Sequence, residues 1–402
     1  MTPKTNDNSK SIVRNSIYGF STWLLPLILS FVATPVIVRA LGHEDYGIYA
    51  LVLGFIAYSF NFNVGRAITK YVAEYRASGS SERIAEVISA TLFINLGLGA
   101  LGLVAIFAAA NPLVTQVLKI QTEAQAKTVD ALYIAALTIF FLMLNQVFNA
   151  ILQGLHRFDV YAKILNLNNI LTISGNLLLA LKGFGLLALL GWNLLITAGA
   201  AFLAAGFAKR LLPEFSLSMK FSRETLRLVF KYSSGVIAYQ ILANILLLFE
   251  RSWITGRLGA ESLTFYVVPM MLALYIHSFI SSLMLVIFPL ASELKDEREK
   301  LLGLYRKATK IVAFLAVFLG ATLIVESRTF LFLWMGAEFA EKSTTLLILH
   351  TITFSLLAIE IVAWQMTEGL GYPNYNCYLF MICFVISIFG MIWLTPGFGN
   401  YG

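Results

Sequence analysis

Charge is scarce in this chain. Only 13% of its 402 residues are Asp, Glu, Lys or Arg, while 58% are hydrophobic. A soluble domain carries about 25% charged residues, so no large soluble domain fits anywhere along the sequence. A mean hydropathy of +0.78 points the same way. Cysteine is nearly absent: Cys377 and Cys383 both fall in the last apolar stretch. With no histidine cluster beside them they suggest neither a metal site nor a redox motif, and read as inert packing residues. Also missing are HExxH, a Walker A phosphate loop, GxSxG and paired carboxylates in a soluble cleft. No enzyme, cofactor or metal is therefore expected, and an ATP-driven pump on this chain is excluded. Any energy input comes from an ion gradient or from the substrate's own gradient.

Long apolar runs are what the chain does have. A bilayer-spanning helix needs about 20 mostly apolar residues, and reading such runs against their breakers gives eleven spans. They cover 15–39, 46–69, 85–110, 129–153, 160–181, 185–208, 232–256, 263–290, 304–326, 343–367 and 375–395. The first does not read as a cleaved signal peptide, because it is long, contains Pro26 and Pro35, and lacks a small-x-small cleavage site. Basic residues set the orientation, since Lys- and Arg-rich loops stay cytoplasmic. With the N-terminus inside, twenty of the 29 basic residues fall on the inner side, eight on the outer side, and Arg66 within a span. The formal charge of +7 then reads as topology and contact with anionic lipid head groups. The N-terminus is placed in the cytoplasm.

The sequence also repeats. "LGHEDYGIYA" from Leu41 returns as "LGAESLTFYV" from Leu258, 217 residues on; "GLHRFDVYAK" from Gly154 returns as "GLGYPNYNCY" from Gly369; "GFGLLALLGW" from Gly183 returns as "GFGNYG" from Gly397. Each match is short, and the shared offset is the evidence. Six spans separate the copies, an even number, so both have the same orientation in the membrane and the repeat is parallel, about an axis along the membrane normal. The fold class expected is thus an all-α polytopic membrane protein of two six-helix lobes. The first lobe takes 1–212, a cytoplasmic linker 213–231, and the second lobe 232–402. Because "GFG" opens the sixth helix of the first copy but nearly ends the chain in the second, a twelfth helix is expected to be missing from a truncated second lobe.

Ionisable groups within spans cost about 2.5–3.5 kcal/mol each on insertion scales, so each needs a partner, a wet cavity or a task. Asn63, Arg66, Lys70 and Glu74 share one face of a helix. Arg66 and Lys70 could neutralise an anionic group on the cytoplasmic side, or could pair and snorkel. In "LLLFERSWITGRLG", Arg251 or Arg257 could receive the same anionic group on the outer side, Glu250 could bind a coupling proton, or the group could anchor at the interface beside Trp253. Arg39, before "ALGHED", carries the same two readings. Glu360 inside "LLAIEIVAWQ" is a second candidate for a coupling proton or sodium ion. His277 and His350 read as relays or as packing residues, and Asn166, Asn168 and Asn169 as helix bridges or cavity lining.

The runs "NSIYGFSTWLLPLILSFVATPVIVRALGHEDYGIYALV" and "VGRAITKYVAEYRASG" resemble the start of the oligosaccharide flippases of polysaccharide biosynthesis. These lie within the multidrug/oligosaccharidyl-lipid/polysaccharide exporter superfamily. The resemblance continues through "LQGLHRFDVYAK" and "ERSWITGRLGAESLTFYVV". It implies two lobes facing a central cavity and the movement of a polyprenyl-diphosphate-linked oligosaccharide from the inner to the outer leaflet, for a surface polysaccharide such as O-antigen, by a monomer. The alternative is a cation-coupled multidrug exporter of the related branch. A membrane-embedded polymerase or glycosyltransferase fits less well, because the longest outer loop, near 111–128, is short.

Overall fold

A computed structural model describes residues 24–59, 65–77, 79–155, 157–212, 222–284 and 287–399; the side chains of 65–67, 73, 77, 231–239, 288, 289 and 373 fall outside that description. The described chain is helical and contains no strand. Helix α1 covers Leu24–Leu41. It is followed by α2 (His43–Tyr58), α3 (Gly65–Ala77), α4 (Ser81–Pro112, continued by a π-helical turn over Leu113–Val117), α5 (Thr122–Gly154), α6 (Phe158–Leu181), α7 (Leu186–Leu211) and α8 (Arg223–Leu258). The remainder is α9 (Ala260–Met284), α10 (Ile287–Glu293), α11 (Arg298–Met335), α12 (Ala337–Gly369) and α13 (Pro373–Phe398). Among the described residues nine helical stretches are long and apolar enough to cross a membrane. The chain is an all-α polytopic membrane protein. By internal contacts it divides into two compact units, Met1–Arg257 and Leu258–Gly402.

The repeated Leu-Gly-x-acid motif has a local physical cause. Gly42 and Gly259 sit between consecutive helices at φ +79° and +88°, the left-handed region that glycine enters without steric cost. The Gly42 N–H donates to the Val38 carbonyl at 2.9 Å, closing α1, and α2 starts at the next residue. Glu44 and Asp45 in the first turn of α2, and Glu261 in that of α9, then lie at the positive end of the helix dipole. A third copy joins α11 to α12: Gly336, in Met-Gly-Ala-Glu, has φ +106°, with Glu338 in the first turn that follows. The sequence reading did not single this one out.

The repeat extends to helix bounds. Ser81 and Arg298, which open α4 and α11, stand 217 residues apart; Thr122 and Ala337, which open α5 and α12, stand 215 apart, as do Phe158 and Pro373. Helices α5 and α12 each have 33 residues.

Several bounds differ from the spans read off hydropathy. The span placed over 46–69 meets two helices, α2 and α3, with 60–64 outside the description. The loop placed near 111–128 is mostly helical, because α4 and its π turn run to Val117 and α5 begins at Thr122. Polar ends such as "TEAQAK" propagate a helix as well as apolar residues do, so hydropathy marks the membrane-crossing part rather than the helix. For the same reason α8 begins at Arg223, within the stretch read as linker. Ser222 caps it, its Oγ accepting the Thr225 N–H at 3.0 Å.

Within the first unit, α5 is central: Val147, Ile151 and Leu152 pack with Ile68 and Val72 of α3, Ile88 of α4 and Ala204 of α7. Helix α8 meets this unit at both ends. Near its start Thr225 Oγ1 donates to Glu86 Oε2 of α4 at 2.8 Å, and Val229 packs with Tyr71, Val87 and Ala90. Near its other end Gly256 lies against Val117. Helices α4 and α8 therefore run in the same direction. In the second unit Ile280 of α9, Val312 and Ala316 of α11, and Ala358 and Val362 of α12 form a core. The exposed Ile386, Phe389 and Trp393 of α13 suit contact with lipid.

Candidate functional site

Helix α2 carries Ala50, Gly54 and Tyr58 at four-residue intervals, so the three lie along one face. The two small residues leave a groove, and Arg251 of α8 fills it. Its side chain is only 7% exposed, and Nη1 donates to the Ala50 carbonyl at 2.7 Å. The guanidinium carbon stands 5.5 Å from the centre of the Tyr58 ring. A Cβ on Gly54 would come within 2.6 Å of Arg251 Cδ, so this approach requires glycine. The Thr255 hydroxyl donates to the Arg251 carbonyl at 2.8 Å, tying the next helical turn. Buried Nε has no hydrogen-bond partner among the described residues. A guanidinium offers five N–H donors in a fixed plane, which leaves capacity here for an anion such as a phosphate or carboxylate.

Arg257 lies six residues further along α8, a rotation of about 600°, and so points to a different face. It is exposed, its guanidinium 4.7 Å from the centre of the Trp253 ring. The cations read together from the sequence are therefore separated by environment: Arg251 is buried against α2, and Arg257 lies on the surface over an aromatic ring. Arg39 is exposed at the end of α1. Lys70 is exposed on α3, with Nζ 4.8 Å from the Tyr71 ring centre, and Glu74 one turn on is exposed too. Asn63 and the Arg66 side chain lie outside the described residues. Glu250 is half-buried on α8, and Glu360 is half-buried on α12, one turn before Trp364, whose Nε1 donates to Glu368 Oε1 at 3.0 Å. The imidazoles of His277 and His350 both pack near Phe354, at 6.2 and 6.5 Å between ring centres, and His350 meets Tyr266 edge-on at 4.6 Å.

One polar cluster escaped the sequence reading. Tyr49, Asn176 and Asn193, from α2, α6 and α7, are all buried. Asn176 Nδ2 donates to Tyr49 Oη at 3.0 Å and to Asn193 Oδ1 at 2.8 Å, while Asn193 Nδ2 reaches Tyr49 Oη at 3.3 Å. The available signal was Asn176 within the run "ISGNLLLAL" and Asn193 within "LLGWNLLIT", since a buried amide needs a partner. The half-buried Asn166, Asn168 and Asn169 lie on the same helix α6 as Asn176. On α5, Asn149 Nδ2 donates to Asn145 Oδ1 at 2.9 Å, adding a polar strip to that helix.

The fold is similar to that of solved membrane transporters. A multidrug resistance MATE family transporter of the MOP superfamily, solved in an inward-facing conformation, superposes with a TM-score of 0.76 at 18% identity, over 92% of this chain and 86% of that one. A MOP superfamily transporter from Pyrococcus furiosus, described as having reversed binding-pocket polarity, superposes with a TM-score of 0.62 at 19% identity, over 97% and 90% of the two chains. At these identities the likeness establishes the fold. The family is established by sequence: residues 36–344 match the family described as "Polysaccharide biosynthesis protein", and the chain belongs to it. It is also similar to a candidate O-antigen transporter of Shigella flexneri, 21% identical over 399 residues that make up 95% of this chain and 93% of that protein.

Proposed function

We propose that this membrane transporter is a flippase that carries polyprenyl-diphosphate-linked oligosaccharide from the cytoplasmic to the outer leaflet, for assembly of a surface polysaccharide. The observation that carries the reading is the buried guanidinium of Arg251. An apolar bundle retains a cation only where something compensates it, and one bond to a carbonyl leaves most of its donors for an anion. A diphosphate is the anionic part of the proposed cargo, and the planar fork of arginine suits its oxygens. Membership in a polysaccharide biosynthesis family supports the same cargo.

In this reading the chain works as a monomer in the prokaryotic cytoplasmic membrane, with its N-terminus inside. Lobes 1–212 and 232–402, joined by 213–231, alternate access to a shared path. Arg66 and Lys70, with Asn63, take up the diphosphate on the inner side; Arg251, and then Arg257 and Arg39, receive it toward the outer side. Glu250 and Glu360 are the candidates for binding a coupling proton or sodium ion. Each step lowers the desolvation cost of the diphosphate by substituting fixed donors for water, and no bond is made or broken.

The test is to delete the gene and ask on which membrane face labelled polyprenyl-linked oligosaccharide accumulates, using access to an added glycan-cleaving enzyme. Cytoplasmic accumulation, reversed by the native gene but not by Arg251→Met, is the expected result. Normal outward exposure together with altered drug tolerance would replace this reading with the cation-coupled exporter.

A further inference from the structure

Where the end of α4 meets the last turns of α8, the first unit holds a pocket of about 290 Å³. One wall is Val117, which closes the π-helical turn Leu113–Val117, and Lys119 beyond it. Lys119 has φ +48° and is the one non-glycine residue with a positive φ among those described. Such a conformation costs roughly 1–2 kcal/mol for an L-residue, so the surrounding structure holds this lysine where it is. The other wall is α8. Gly256 lets that helix come against the chain turn: a Cβ there would be 2.5 Å from the Val117 carbonyl oxygen. Phe249, Trp253 and Arg257 follow at four-residue intervals along one face. The Phe249 and Trp253 rings are stacked, with centres 5.5 Å apart, and the Arg257 guanidinium lies on Trp253 at 4.7 Å. The Trp253 ring thus favours a guanidinium at this place by a cation–π contact, in the pocket that Lys119 lines from the other side.

Two cations, one lying over an aromatic ring, line a cavity at the small end of the range for ligand sites, roughly 300 Å³. Among the described residues no acidic side chain lines it. We infer that Lys119 and Arg257 form a diphosphate site at this end of the first unit, with Trp253 as a positioning residue for Arg257. The assignment deepens the flippase reading and rests on it: the charge asymmetry of the sequence puts this end on the outer side, where the diphosphate of the cargo would be held before release. A phosphate carried by an ordinary phospholipid head group presents the same chemistry, and the experiment separates the two sources.

The full chain is reconstituted in phosphatidylcholine nanodiscs, and binding of farnesyl diphosphate is measured at equilibrium, with phosphatidylglycerol nanodiscs as the competing condition. Lys119→Gln and Arg257→Gln should each weaken binding about tenfold, the loss of one charge-assisted contact. Trp253→Leu should weaken it several-fold and Trp253→Phe should restore most of it, which a role in folding alone would not produce. Unchanged binding in both cation variants would overturn the site, and equal competition by phosphatidylglycerol would overturn its assignment to the cargo. Flipping in cells is scored separately. Normal flipping with variant-insensitive binding removes the pocket and leaves the function; absent flipping with variant-sensitive diphosphate binding removes the function and leaves the pocket.

Discussion

Arg251 occupies the space that Gly54 lacks a side chain to fill, with its Nη1 on the Ala50 carbonyl at 2.7 Å and its Cδ 2.6 Å from where a Gly54 Cβ would be. The contact makes two separable expectations. Replacing a buried charge by an apolar side chain of similar length is often neutral or stabilising, so Arg251→Met should leave the denaturation midpoint of the purified protein unchanged or higher while abolishing complementation of the gene deletion. Retained complementation would make Arg251 a packing residue. Gly54→Val should do the reverse in stability, costing about 1–3 kcal/mol by overpacking, and should lose transport as Arg251 is displaced.

The junction glycines give a prediction about backbone alone. Nothing lies within 4 Å of a Cβ built on Gly42 or Gly259, so their substitution is opposed only by the left-handed φ. Gly42→Ala should cost roughly 1–2 kcal/mol, and Gly42→Asn less, because asparagine tolerates that region. Comparing denaturation midpoints of the two variants in one detergent checks the order. Equal loss in both would point to a steric cause.

The Tyr49, Asn176 and Asn193 cluster should behave as a unit. Tyr49→Phe removes the oxygen that accepts from both amides at 3.0 and 3.3 Å, leaving buried donors unsatisfied at a cost of about 1–3 kcal/mol. A double-mutant cycle with Asn193→Leu should give a coupling energy of about 0.5–3 kcal/mol. Additive losses would mean that the hydrogen bonds contribute little beyond packing.

Gly175 is the tightest close approach in the chain's described part: a Cβ there would lie 1.9 Å from Trp192 Nε1, which donates to the Leu171 carbonyl at 2.8 Å. Gly175→Ala should expel the indole and break that bond. The readout is Trp192 fluorescence, shifted to the red relative to the native protein in a background with the other tryptophans replaced, together with a lower denaturation midpoint. An unshifted spectrum would show that α6 and α7 can separate without moving the ring.

Composition alone placed the chain in a membrane, because 58% hydrophobic residues in runs long enough to cross a bilayer leave no other solution. The offset of about 217 residues was likewise readable, and it reappears in helix bounds, since glycine junctions and capping residues act within one or two turns of where they stand. Hydropathy overstated the loops for a local reason too: Thr122–Lys127 are polar yet helical. What the sequence left open was everything decided at long separation. The face of α8 that buries Arg251 depends on the groove beside Ala50 and Gly54, 201 positions from the arginine in the case of Ala50. Asn176 and Asn193 meet Tyr49 across 127 and 144 positions. The pocket joins Lys119 to Arg257 only because α4 and α8 run side by side. Periodicity reports which residues share a helix face, but the neighbour that face meets is chosen by packing of the whole bundle, and only the tertiary structure contains that choice.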